Sequence, residues 1–94
     1  MLSLKDYNGF NMGIEKAIEL NIELPIGKNQ GELIADLKTE IEEIKTQFYG
    51  KSVFINGRLT TGMALFLGHY LAHISKRVYI FDPKENYYFL TVSH

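Results

Sequence analysis

Ser52-Val53-Phe54-Ile55-Asn56, followed by Gly57-Arg58-Leu59-Thr60-Thr61-Gly62 and then Met63-Ala64-Leu65-Phe66-Leu67, decides how this chain folds. The first five residues are a short apolar run rich in strand formers, as expected for a strand buried on both sides. Gly57 breaks that run, and Thr60 or Thr61 can cap what comes next. Met63, Ala64, Leu65, Phe66, Leu67, Tyr70, Leu71 and Ile74 then make a helix that is apolar around much of its circumference. A helix of that kind is expected to be buried against its own sheet and against a partner, which points to a dimer. Val78-Tyr79-Ile80-Phe81 follows as another buried strand, so strand, helical crossover and strand form one parallel unit.

Toward the N-terminus the same unit is repeated. Ile18, Leu20, Ile22 and Leu24 alternate with Glu19, Asn21 and Glu23, as a half-buried strand over Ala17 to Leu24 requires, and Pro25 ends it. Asn29 with Glu32 three positions later opens a helix in the manner of a capping box. Leu33, Ile34, Leu37, Ile41, Ile44 and Phe48 recur at helical spacing behind it, and Gly50 is the expected stop. The opposite face of that helix, with Glu40, Glu42 and Glu43, reads as a solvated surface. Residues 9–15 are expected to form a hairpin arm. After the last buried strand, Asp82-Pro83-Lys84-Glu85-Asn86 has turn chemistry, and Tyr87 to Ser93 is expected to pair back. The expected fold is therefore a small single α/β domain over residues 1–94. It has a mostly parallel sheet, two crossover helices, a C-terminal antiparallel hairpin strand and a dimeric assembly.

Composition narrows the function. The 94 residues include no cysteine, which removes disulfides and thiolate metal sites. No apolar run reaches the roughly 18 residues of a spanning helix, so no membrane partner and a cytoplasmic location are expected. The net charge of −1 argues against a protein that grips long duplex nucleic acid through many phosphates. The charge is uneven: residues 1–48 hold five lysines against nine acids, −4, and residues 49–94 hold five Lys or Arg against two acids, +3. An anion would prefer the second half, although solvated faces and one acidic helix account for the same charges.

The chemistry-bearing residues also fall in that half. In open α/β sheets ligands gather beyond the carboxyl ends of parallel strands, beside helix N-termini. Gly57, Arg58, Thr60 and Thr61 occupy such a loop, and Asp82 ends the next strand. Free N–H groups of the helix start attract phosphate, and Arg58 can hold an anionic oxygen through two bonds. The loop is no Walker motif, because Met63 stands where lysine belongs, and a capped turn with a surface arginine explains it equally well. His69 and His73 are four apart and share one helical face, a spacing that suits two imidazoles on one metal or an ordinary surface pair. Asp82 adds a carboxylate suited to manganese, magnesium or zinc. Ser93-His94 closes the chain.

The combination of Gly57-Arg58, a Leu67-x-His69 step, His73, Phe81-Asp82-Pro83 and Ser93-His94 resembles the ring nucleases of type III CRISPR systems, specifically the third Csx group. The similarity runs from about Glu19 to His94. It implies a manganese-dependent phosphodiesterase, with magnesium as the substitute, that cuts cyclic tetra-adenylate to linear products and so switches the defence response off. It also implies homodimers that stack around one ring. Carried over by position, His73, Asp82 and Lys84 match the catalytic positions, and Asp82, His73 and His94 match the metal site. Gly57, Arg58, Thr60, Thr61, His69 and Ser93 match the ligand-facing edge. Leu59-Thr60-Thr61 replaces the family's proline and bulky apolar residue, and Lys84 replaces an arginine, keeping the charge without the planar fork. Two alternatives stay open: a non-catalytic sensor of cyclic oligoadenylates, and a nuclease acting on adenylate tails of RNA.

Overall fold

The computed structural model describes residues 1–7 and 16–93; the hairpin arm expected over residues 9–15 and the metal ligand expected at His94 lie outside the described residues. Five strands and two helices follow one another as β1 (Leu2–Asp6), β2 (Ala17–Ile22), α1 (Gln30–Ile44), β3 (Ser52–Gly57), α2 (Thr61–Ala72), β4 (Arg77–Asp82) and β5 (Tyr87–Ser93). A short 3-10 turn, Lys45–Gln47, extends α1. All five strands form one sheet in the order β1-β2-β3-β4-β5.

The central pairs β2/β3 and β3/β4 are parallel, as the crossovers require, but the outer pairs β1/β2 and β4/β5 are antiparallel. The expected mostly parallel sheet is therefore corrected to a mixed one. The difference lies in β1, where only Leu2 and Leu4 are apolar and Lys5-Asp6 follow, a pattern too short and too polar to read as a strand. Pairing along the free edge of β2, from Leu2 opposite Ile22 to Asp6 opposite Ile18, supplies what local propensity does not. The appended C-terminal strand is found as expected, with its turn at Asp82–Asn86.

Two successive right-handed crossovers that step in the same direction put both helices on one face of the sheet. The core lies there: Ile18, Leu20, Ile22, Val53, Ile55 and Val78 from the strands meet Leu33, Leu37 and Ile41 of α1 and Met63, Leu67 and Leu71 of α2. α1 starts with the expected reciprocal cap, the Glu32 N–H donating to Asn29 Oδ1 at 2.9 Å and the Asn29 N–H to Glu32 Oε1 at 3.1 Å. The 3-10 turn then delivers Phe48, fully buried, beneath the helices, and Gly50 reverses the chain at φ +69°.

No helix among the described residues covers the other face, yet β3 is buried on both sides as expected. Tyr7 stacks on Phe54 at 4.0 Å and Tyr79 at 4.3 Å, and Tyr88 meets the same ring edge-on at 5.1 Å, leaving Phe54 3% exposed. Beside these rings Glu19 is only 9% exposed, although the alternation assigned it to water. Tyr88 donates to Glu19 Oε1 at 3.0 Å and Lys5 pairs with Oε2 at 3.1 Å, so the carboxylate is buried with both oxygens answered.

α2 is buried on one side by Met63, Leu67 and Leu71, while Leu65 on the same helix is 73% exposed. The second buried face expected of this helix is not found within one chain. Among the described residues no helix is long and apolar enough to cross a membrane.

Candidate functional site

The residues singled out by sequence divide between two opposite edges of the sheet. At the carboxyl edge of the parallel strands, β3 ends in Gly57 with φ +104°, where an added Cβ would lie 2.2 Å from Ile22 O. The Arg58 N–H donates to that same oxygen at 3.0 Å, so β2 and β3 approach too closely for any side chain at position 57. The chain then enters α2 through Thr60, whose Oγ1 accepts from the Met63 N–H at 3.2 Å and also bonds Gln30 of α1. Thr60 is the cap, and Thr61 is the exposed first residue of the helix.

Asp82 ends the neighbouring strand β4. Its Oδ1 accepts from the Lys84 N–H at 2.9 Å and the Glu85 N–H at 3.4 Å, an Asx-type turn that fixes the course of the chain through Lys84. Six expected residues thus gather at one edge: Gly57, Arg58, Thr60, Thr61, Asp82 and Lys84. Arg58 and Lys84 are the exposed cations among them, and Arg58 lies three residues ahead of the first helical residue of α2.

His73 is elsewhere. It caps the C-terminus of α2, and that end is tied to the start of β3 and β4 by Gly50 N–H donating to Ile74 O at 3.1 Å and Lys76 N–H to Lys51 O at 2.9 Å. His69 lies one turn earlier with its ring 4.8 Å from that of His73, so the expected i,i+4 pair forms, exposed to solvent. Ser93 pairs with Arg77 at the same edge. His73 and Asp82 are therefore separated by the length of β4, roughly 17 Å at about 3.3 Å per residue. The cause is topological: α2 runs opposite to the strands it joins, so its last residues reach the end of the sheet that Asp82 leaves.

The structure accordingly does not bring Asp82 and His73 to one metal within a chain. Among the described residues no group of three or more His, Asp or Glu is placed to hold an ion. The described residues of a single chain do not fit manganese or magnesium, and a site built on Asp82, His73 and His94 would have to draw on more than one copy.

Sequence reasoning missed the polar group on the open face. Ser3, Lys5, Glu19, Asn21 and Asn56 line one cavity there. Alternation does put Glu19 and Asn21 on the side away from the core, but only the topology leaves that side without a helix. Burial, with the hydrogen bond to Glu19, pushes the Tyr88 phenol well above its ordinary range. The phenol of Tyr70 is pushed up to about 12, first by burial and then by its hydrogen bond to Glu42.

Comparison with protein-family models, with curated proteins and with solved structures finds no match for this chain.

Proposed function

We propose that the chain is a phosphodiesterase that binds cyclic tetra-adenylate and cuts it to linear products, ending type III CRISPR signalling, and that it works as a two-fold dimer. The observation that carries this reading is the convergence of the Gly57-Arg58 turn, the start of α2 and the Asp82-Lys84 turn on one sheet edge. Two exposed cations and a helix N-terminus on one edge suit a phosphodiester, while the Asp82 carboxylate there is held by the Lys84 and Glu85 N–H groups. A ring with four phosphates needs a small cationic edge of this kind rather than a basic surface, in keeping with the net charge of −1.

The dimer answers the separation of His73 from Asp82. Two copies packed antiparallel alongside α2 and β5 set the His73 edge of one next to the Asp82 edge of the other, and a two-fold axis produces that site twice. The surface concerned is apolar: Leu65 on α2 and Phe89 on β5, opposite Ile80 on the helix side of the sheet, are 73% and 40% exposed. A groove of about 210 Å³ runs between the two elements, lined among others by Leu59, Ala64, Gly68, Ile80 and Val92. β5 is also an edge strand without a charged residue, Tyr87-Tyr88-Phe89-Leu90-Thr91-Val92-Ser93, so nothing on it opposes association.

In such a site Arg58 and Lys84 hold and neutralise the phosphate. An imidazole of His73 takes the proton of the attacking hydroxyl or returns one to the leaving oxygen. Incubating the protein with cyclic tetra-adenylate and manganese and resolving the products tests the reading. Linear adenylates are expected from wild type and none from His73→Ala, from Asp82→Ala or after chelation. An intact ring with wild type overturns it. Tight binding without product, unchanged in Asp82→Ala, would instead make the protein a sensor, the reading favoured by the separation of His73 and Asp82 in one chain. Faster cleavage of linear adenylate than of rings would make it a tail nuclease.

A further inference from the structure

The sheet face turned away from the helices holds a cavity of about 310 Å³ lined by Ser3, Leu4, Lys5, Glu19, Asn21 and Asn56. The strand register explains why the polar groups meet. Ser3 stands opposite Asn21 and Asn21 opposite Asn56, while Lys5 stands opposite Glu19, so three neighbouring strands present two adjoining rows on one face. Most of the set is already fixed. Tyr88 and Lys5 hold the Glu19 carboxylate, and Asn56 Oδ1 accepts from the Gly57 N–H at 2.7 Å. Asn21 is different: among the described residues no hydrogen bond engages its carboxamide, nor the hydroxyl of Ser3 beside it.

We infer that this cavity is the adenine subsite of the adenylate ligand, with Asn21 reading the base. A carboxamide offers a donor and an acceptor side by side, which matches the exocyclic amino group of adenine next to a ring nitrogen. The neighbouring Glu19 carboxylate only accepts, so it favours the amino group of adenine and opposes the carbonyl oxygen that hypoxanthine carries in the same place. A volume of this size suits a single base, at the low end of ligand pockets. Asn56 on the cavity wall is two residues from Arg58, so a base seated here leaves its phosphate near the cationic edge. The choice of adenine rests on the adenylate reading above; the cavity and its vacant carboxamide do not.

The test titrates the ¹⁵N-labelled full chain with adenosine 5′-monophosphate and with inosine 5′-monophosphate, following the side-chain carboxamide signals and, by calorimetry, the affinity. The adenine nucleotide is expected to bind at least tenfold tighter and to shift the Asn21 carboxamide. Asn21→Leu is expected to weaken adenine binding at least tenfold while melting like wild type, and Asn21→Ser serves if the leucine variant does not fold. Equal affinity for the two nucleotides, or adenine binding untouched by both variants, overturns the subsite. Ring cleavage is measured in parallel on the same samples. Cleavage by wild type with adenine binding independent of Asn21 overturns the subsite alone. Asn21-dependent adenine binding by a protein that cleaves nothing upholds the subsite and overturns the phosphodiesterase.

Discussion

Replacing Gly57 by alanine tests whether the cationic edge is built on a backbone contact. Two penalties add at this position. The residue sits at φ +104°, outside the range L-residues favour, which costs about 1–2 kcal/mol. Its new Cβ would also lie 2.2 Å from Ile22 O and 2.8 Å from Ile22 N, and because both are backbone atoms of β2, no side-chain rotation relieves the clash. Forcing the strands apart adds about 1–3 kcal/mol, so Gly57→Ala is expected to lose about 2–5 kcal/mol. Gly27→Ala is the internal control: φ is +82° there, but nothing lies within 4 Å of the added Cβ, so only the conformational part remains. Equilibrium unfolding in urea, with m-values compared to confirm a common denatured state, measures both. Destabilisation of the two variants within about 0.5 kcal/mol of one another would refute the reasoning, since the clash at Ile22 would then contribute nothing.

Tyr88→Phe leaves Glu19 buried with one oxygen unanswered and is expected to cost about 1–3 kcal/mol in the same unfolding assay. The folded state holds the Tyr88 proton to a higher pH than the unfolded chain, whose phenol titrates near 10. The stabilisation is therefore complete below about pH 10 and is lost as pH rises through the folded value; alkaline melts of Tyr88→Phe should fall less steeply than wild type. Phe48→Ala empties a fully buried site and is expected to lose about 3–5 kcal/mol, read as a lowered urea midpoint. Asn29→Ala removes half of the reciprocal cap of α1 and should lose about 1 kcal/mol. If the site is shared between copies, mixing inactive His73→Ala and Asp82→Ala proteins should restore about one quarter of wild-type ring cleavage, because half the dimers are mixed and each has one intact site of two. No recovery after subunit exchange would overturn the site shared between copies.

Much of the fold was legible because it is written in local periodicity. The alternation over Ala17 to Leu24, the 3.6-residue recurrence after the Asn29 cap and the apolar run at β3 each fix an element type, although β2 ends at Ile22, two residues short of its pattern, while β5 ends where its pattern ends. Their order then dictates the two parallel pairs, since a helix between strands permits no tight turn. The site was legible only in part. Gly57, Arg58, Asp82 and Lys84 could be placed together because the carboxyl ends of adjacent parallel strands must be neighbours.

What the sequence determined by itself was which segments are strands and helices and which side of each is apolar, because side-chain spacing along a chain depends only on backbone geometry. Tertiary structure alone decided the rest. It recruited Leu2–Asp6 as a fifth strand through an edge that β2 left unpaired, and it put both helices on one face because both crossovers turn the same way. That choice closed the opposite face with the rings of Tyr7, Phe54, Tyr79 and Tyr88, and buried Glu19 among hydrogen bonds no alternation rule foresees. The separation of His73 from Asp82, by contrast, was already contained in the element order, because a helix that joins two parallel strands must end where the second strand begins, one strand length from that strand's last residue.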